Sequence, residues 1–157
     1  MRLALATGLI LVAVGCGGDD SLSRSEWAAE ANAICLDTLR KVEALGRPVT
    51  SDDYLRVTPK ANELGLAAID ELRELKEPGE ISDDVEEMIK GYEYAVRQQD
   101  VVYRGMKAQR DGTEPPSGDY YRAGNRSIEA GKAADAIARR LRATDCARDP
   151  WQAPSQT

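Results

Sequence analysis

The sequence predicts an all-α protein: an up-and-down four-helix bundle with one disulfide, preceded by an apolar N-terminal segment. Three observations lead to this prediction. Alanine, arginine and glutamate dominate the chain and β-branched residues are sparse, which is a helical composition. Four segments carry apolar residues at alternating spacings of three and four, and short turn-rich stretches join them. Three cysteines are present, of which two lie within the helical part of the chain.

The first predicted helix begins at Ser23. Glu26 follows three residues later, which is the pattern of a capping box. Gly46 and Pro48 are expected to end the helix. Its apolar face comprises Trp27, Ala31, Ile34, Thr38, Val42 and Leu45, flanked by Cys35 and Leu39.

The second predicted helix begins near Ser51 and ends at Pro78-Gly79. Pro59 interrupts it and leaves two alternatives. Either the helix kinks there, or Thr58 caps a fresh start with the proline at the first helical position. Its apolar face comprises Val57, Ala61, Leu64, Ala68, Leu72 and Leu75.

The third predicted helix has the most regular pattern, typical of the buried seam of a bundle. Ser82 is expected to cap it and Asp111-Gly112 to end it. Its apolar face comprises Val85, Ile89, Tyr92, Val96, Gln99, Tyr103 and Met106.

The fourth predicted helix runs from about Asp119 to Ala143. Small residues on its apolar face favour close approach of another helix. The predicted face comprises Tyr121, Gly124, Ile128, Gly131, Ala134, Ala138 and Leu141, with Ile137 beside it. The tail from Ala147, with two prolines, is expected to be flexible.

The N-terminus has the features of an export signal. Arg2 supplies a positive charge, and the apolar run from Leu3 to Val14, about 12 residues, is shorter than the ~20 that a membrane span needs. Small residues then lead to Cys16, which Gly-Gly-Asp-Asp follows. This arrangement resembles the lipobox of bacterial lipoproteins, although Ala13 stands where leucine is usual. The resemblance implies cleavage before Cys16 and its lipidation with fatty acyl chains such as palmitate. The alternative is an ordinary secretory signal cut near Ala13 or Gly15, which would leave a free thiol.

These boundaries divide the chain into four parts. We expect a signal peptide at 1–15, a lipidated tether at 16–22, the helical bundle at 23–146 and the flexible tail at 147–157. The resemblance implies attachment to the cell membrane at its extracytoplasmic face. The tether spans at most about 25 Å, so the bundle is expected to stay close to the bilayer.

If Cys16 carries lipid, Cys35 and Cys146 remain to form one disulfide in an oxidising compartment. Two unpaired thiols are the alternative. The lipobox, the sequence ANAIC ending at Cys35, the sequence LRELKEP ending at Pro78 and the late Cys146 together resemble small lipoproteins of high-GC Gram-positive bacteria. That resemblance implies the fold and the membrane location, and no activity.

Composition excludes several function classes. Loss of Arg2 with the signal changes the formal net charge from −6 to about −7, which argues against a nucleic-acid partner. The chain has no histidine, so histidine-based catalytic triads and di-iron sites are excluded. We therefore predict no enzyme, no cofactor and no metal. The acidic cluster at 82–87 admits a weak calcium site, but acidic residues that suit the dipole of a helix N-terminus are the favoured explanation.

The remaining candidate site is a pair of tyrosines, Tyr120 and Tyr121, at the start of the fourth helix. They follow the longest predicted loop, at the end of the bundle furthest from the membrane, and are candidates for contact with an envelope protein. The primary functional hypothesis is a non-enzymatic interaction module of the cell envelope. The alternative is a small-ligand carrier. A carrier requires a cavity between helices, whereas an interaction module requires a tight core and an exposed apolar patch.

Overall fold

The computed structural model describes residues 21–113 and 118–150. Within these ranges the chain forms four α-helices and one short 3₁₀-helix, at 79–81, and no strand. The predicted all-α class is confirmed. The signal peptide and Cys16 lie outside the described residues. The helices are α1 (Arg24–Glu43), α2 (Ser51–Glu74), α3 (Ser82–Asp111) and α4 (Gly118–Arg140).

Capping boxes begin α1 and α2. The backbone N–H of Glu26 donates to Ser23 Oγ at 3.3 Å, and Glu26 Oε2 accepts from the backbone N–H of Ser23 at 2.9 Å, which confirms the predicted cap. Thr50 and Asp53 form the same reciprocal pair at the start of α2. Helix α2 continues through Pro59 without a second start, so of the two alternatives the fresh cap at Thr58 is wrong.

The start of α3 differs from the prediction. Ser82 is the first helical residue and caps nothing, because the 3₁₀-helix at 79–81 leads directly into α3. Its hydroxyl donates instead to Glu77 Oε1 at 3.1 Å. The predicted end is confirmed: Gly112 adopts φ +68° and its N–H bonds back to the last turn, as a left-handed glycine does at a helix C-terminus.

Helix α4 ends at Arg140, three residues before the predicted end at Ala143. Arg142 adopts φ +66°, a conformation that favours glycine. Its N–H donates to the carbonyl of Arg139 at 3.1 Å, and the N–H of Ala143 donates to that of Ala138 at 2.9 Å. This is a Schellman motif with arginine in the left-handed position. It turns the chain back along the bundle.

Successive helices run antiparallel. The N–H of Leu22, before α1, donates to the carbonyl of Lys76, after α2, at 2.9 Å. Asp84 in the first turn of α3 pairs with Arg140 at the end of α4, with 2.6 Å between Oδ1 and Nη2. Arg24 in the first turn of α1 donates to the carbonyl of Arg140 at 3.0 Å. These contacts gather four helix ends at one end of the molecule, and the predicted up-and-down bundle is confirmed.

The core is concentrated at that same end. Trp27, Met88 and Leu141 are fully buried there, and Leu22, assigned to the tether by the sequence, packs against this core. The indole Nε1 of Trp27 has no hydrogen-bond partner among the described residues. Further core residues include Ala31, Ile69, Leu72, Ile81, Val85, Ile89, Ala134, Ile137 and Ala138.

The buried face of α4 differs by one residue from the predicted face in its first half. Tyr121 and Ile128, predicted to be buried, are 63% and 58% exposed. The buried residues there are Tyr120, Ala123 and Ser127. From Ala134 onward the predicted face is confirmed, with Ala134, Ala138 and Leu141 all buried.

Candidate functional site: a two-chamber cleft

A cavity of about 190 Å³ lies between α1, α2 and α3, which we call the apolar chamber. Its walls are mainly aliphatic carbon. Gly65 has no side chain to fill this space. A Cβ at that position would lie in van der Waals contact with Val96 Cγ2, at 3.5 Å. The lining residues are Cys35, Thr38, Leu39, Gly65, Ala68, Ile69, Leu72, Tyr92, Ala95, Val96, Asp145 and Cys146.

The disulfide forms part of this wall. Cys35 and Cys146 are bonded, with 4.9 Å between their Cα atoms, so the predicted pairing is confirmed and the unpaired alternative is wrong. Residues 141–150, which we call the C-terminal strap, run back along α1. Asn32 holds the strap: its Nδ2 donates to the carbonyl of Arg142 at 2.9 Å, and its Oδ1 accepts from the N–H of Asp145 at 2.8 Å.

The strap extends beyond the disulfide and stays packed on the bundle. Ala147 contacts the core, and its carbonyl accepts from Arg139 Nη2 at 3.2 Å. Pro150 lines a second cavity. These contacts place Ala147 and Pro150 on the bundle, within the tail that the sequence predicts to be flexible, and residues 151–157 lie outside the described range.

Tyr92 links α3 to both α4 and the strap. Its hydroxyl lies 3.0 Å from Asp135 Oδ1 and 3.0 Å from the carbonyl oxygen of Cys146. Burial raises the pKa of the Tyr92 hydroxyl, and the neighbouring carboxylate raises that pKa further. Burial also raises the pKa of Asp135. The tyrosine therefore remains a neutral hydrogen-bond donor at the edge of the apolar chamber.

The second cavity, of about 250 Å³, we call the polar chamber. Uncharged hydrogen-bonding side chains line one part of it and aliphatic groups the rest. No charged side chain is among the lining residues that the structure describes. These residues are Val42, Pro48, Tyr54, Thr58, Ala61, Asn62, Gln99 and Pro150.

Hydrogen bonds fix several polar side chains of this chamber. Gln99 Nε2 donates to Tyr54 Oη at 3.2 Å, and Gln99 Oε1 lies 3.1 Å from the hydroxyl of Ser127. Burial raises the pKa of Tyr54, while hydrogen bonds from Thr58 and Gln99 lower it. The network joins α2, α3 and α4 and holds the polar wall in place.

The two chambers are adjacent along the bundle axis. On each helix that lines both chambers, and on the C-terminal strap, the nearest residues of the two chambers are three or four positions apart. On α1, α2 and α3 this is about one helical turn. The neighbouring pairs are Leu39 and Val42, Gly65 and Asn62, Val96 and Gln99, and Cys146 and Pro150. The two chambers share no lining residue, and we call the neighbouring pair the two-chamber cleft.

The tyrosine pair is divided between core and surface. Tyr120, a predicted partner contact, is only 7% exposed and its hydroxyl donates to Gln109 Oε1 at 2.9 Å, so it is buried in the bundle. Tyr121 is exposed, and its ring centroid lies 4.2 Å from that of Tyr120. Neither tyrosine lines the cleft.

The sequence places Leu39, Leu72 and Val96, which line the apolar chamber, on apolar helix faces. Only the small residues near them indicated that a cavity could lie there.

At the acidic start of α3, Asp84 forms an ion pair with Arg140 at the end of α4. The Arg140 guanidinium beside Asp84 holds the pKa of that carboxyl below its usual value. Across the described residues, no cluster of three side chains suited to a metal ion is present. None of the helices in that part of the chain is long and apolar enough to cross a membrane.

Comparison of the chain with protein-family models, curated proteins and solved structures gives no match.

Proposed function

We propose that the protein is a lipid-anchored extracytoplasmic carrier, which holds a small ligand in the two-chamber cleft. The observation that supports the proposal is the cleft itself. The chambers measure about 190 Å³ and about 250 Å³, so a ligand that needs the roughly 300 Å³ at which small-ligand pockets begin would have to occupy both. The main cluster of buried apolar residues contains Trp27, and further buried residues, among them Val57, Tyr120 and Ala123, lie towards the other end of the bundle.

The proposed location rests on two features. Disulfides persist in oxidising compartments outside the cytoplasm, and the Cys35–Cys146 bridge fits such a compartment. Lipidation at Cys16 would tether the bundle a few residues before Leu22, which packs against the core. The lipid would hold the Trp27 end of the bundle towards the membrane, through the short chain between Cys16 and Leu22.

The carrier proposal is tested by filling the apolar chamber. Ala68 lines it, whereas the neighbouring Ala67 is exposed on the same helix. We expect the wild-type protein to bind the uncharged dye N-phenyl-naphthylamine saturably, with increased fluorescence. Ala68→Leu should weaken dye affinity at least about tenfold, because the added methyl groups occupy the chamber. Ala67→Leu is the matched control and should bind as the wild type does.

Circular dichroism and urea unfolding would establish that both variants fold. Equal dye affinity in Ala68→Leu and Ala67→Leu, or no saturable binding by the wild type, would contradict the carrier proposal.

An interaction module remains the second candidate, because two large apolar side chains are exposed on one face of α4. Tyr121 and Ile128 are seven residues, or about two turns, apart. The double variant Tyr121→Ser with Ile128→Ser should leave dye binding unchanged. If in-cell cross-linking to an envelope protein is lost in this variant and retained in Ala68→Leu, the second candidate is favoured.

A further inference from the structure

We infer that the ligand of the cleft is an amphiphile with an aliphatic tail and an uncharged, hydrogen-bonding head. The tail lies in the apolar chamber and the head lies in the polar chamber beside Asn62. This inference rests on the proposed carrier function and assigns the chemical class of its ligand.

The apolar chamber suits the tail because two of its polar lining groups, the Asp145 carboxylate and the Tyr92 hydroxyl, are already engaged and most of its other lining residues are apolar. The Asp145 carboxylate pairs with Arg148 at 3.0 Å. The Tyr92 hydroxyl is bonded to Asp135 and to the carbonyl of Cys146. The surface left for a ligand is mostly aliphatic, so contact with a hydrocarbon chain removes apolar area from water on both sides.

The polar chamber suits the head because one of its amides is uncommitted. Asn62 is half-buried and lines the chamber, and its side chain has no hydrogen bond or ion pair with the residues that the structure describes. Gln99 and Tyr54, in contrast, bond to each other across the same wall. An amide offers both a donor and an acceptor. A hydroxyl, ester or amide head can use both.

The described lining of the polar chamber carries no charge that could compensate an ionised head, which favours an uncharged one. A carboxylate or ammonium group would lose its water without gaining an opposite charge, which is costly in a poorly solvated site. The raised pKa of Tyr54, caused chiefly by burial, is consistent with poor solvation at this wall. An uncharged head loses less solvation and can recover it through Asn62.

The order of the chambers fixes the orientation of the ligand. The apolar chamber reaches Leu72 on α2, and the polar chamber reaches Tyr54 at the start of the same helix. The tail therefore points towards the end of the bundle that carries Trp27, and the head points away from it.

Three probes with the same chain length test the inference: octanol, octanoate at neutral pH, and octane. Each would be titrated against the dye-loaded protein, and displacement would report its affinity. We expect octanol to bind at least about tenfold more tightly than octanoate, because the described lining of the polar chamber offers no opposite charge to the carboxylate. Asn62→Leu should weaken the binding of octanol and leave octane binding unchanged or tighter, because octane makes no hydrogen bond. Asn125→Leu, at an exposed position of α4, is the matched control and should behave as the wild type does.

The outcomes separate the two proposals. If octanoate binds as tightly as octanol, or if Asn62→Leu leaves octanol binding unchanged while the protein remains folded, the assignment of the head is overturned and the carrier proposal stands. If no probe binds and the wild type does not take up the dye, both proposals are overturned.

Discussion

The hydroxyl of Tyr92 has one proton and two acceptors, the Asp135 carboxyl and the Cys146 carbonyl, each at 3.0 Å. It can donate to only one of them at a time. Both bonds form together when the Asp135 carboxyl is protonated, since it then donates to Tyr92 while Tyr92 donates to Cys146. Burial is the main cause of the raised pKa of Asp135, and the raised pKa favours this protonated form of the carboxyl.

This arrangement predicts opposite effects for two Asp→Asn variants. Because the folded-state pKa of Asp135 is raised, its protonated form stabilises the fold at low pH, and that contribution is lost as pH rises through the folded pKa. The folded-state pKa of Asp84 is lowered, mainly by Arg140, so its contribution is present at neutral pH and lost as pH falls through the folded pKa. Asp135→Asn should therefore match or exceed wild-type stability at about pH 7, and Asp84→Asn should be less stable.

Urea midpoints at about pH 7 and about pH 3 would measure both effects, and both differences should shrink at the lower pH, where the wild-type carboxyls are protonated. The interpretation of Tyr92 would be wrong if Asp135→Asn lowered the neutral midpoint as much as Asp84→Asn does.

At the scale of helices, α3 and α4 approach closely at two glycines of α3. A Cβ at Gly105 would lie 2.7 Å from Tyr120 Cβ, closer than such atoms come. A Cβ at Gly91 would lie 3.0 Å from Ala134 Cβ. A Cβ at Gly131 of α4, in contrast, would meet no described atom within 4 Å. Of these three glycines, only the two on α3 are required by the packing.

Gly→Ala substitutions should have opposite effects on stability at a close helix contact and at a glycine with open space beside it. Gly105→Ala is expected to destabilise the fold by about 1–3 kcal/mol, because Tyr120 is buried and must move. Gly131→Ala should stabilise it by about 0.5–1 kcal/mol, because alanine favours the helix and meets no neighbour. Urea unfolding would measure both free energies. Equal stabilisation by the two substitutions would show that the helices separate easily at Gly105.

Helix boundaries were predictable where the local chemistry was sufficient. The capping box at Ser23 and the left-handed Gly112 could be recognised from residue types alone. The end of α4 could not, because arginine occupies the left-handed position at residue 142 and the turn depends on packing of the strap. The buried face of α4 was misplaced because adjacent tyrosines and many small residues make two neighbouring faces nearly equivalent.

At the scale of the whole molecule, the bundle and its disulfide were predictable and the cleft was not. Periodicity indicates which residues face inward, and Leu39 and Leu72 do face inward. Periodicity does not indicate how far apart three helices lie. That separation depends on small residues such as Gly65, Ala68 and Ala95 meeting across the interior, together with the strap that lies over them.

The strap makes stability and ligand binding depend on the same bond. Replacing both Cys35 and Cys146 by alanine should lower the free energy of unfolding by about 2–4 kcal/mol. It should also weaken dye binding, because Cys146 and Pro150 line the two chambers. Urea unfolding and dye titration would measure the two effects. Added reductant should reproduce the loss of stability and the weaker dye binding in the wild type, and should have no further effect on the variant. If the dye affinity does not change when the bond is lost, the strap stays in place without the disulfide.

The same bond has a consequence for proteolysis. Cys35 and Cys146 are 111 positions apart, so the bridge closes a covalent ring that contains part of α1 and all of α2, α3 and α4. A single protease cut of the backbone between these cysteines opens the ring without dividing the molecule. Both fragments stay joined through sulfur, and they would separate only on a reducing gel. A protein nicked once in this way keeps all four helices on one connected molecule.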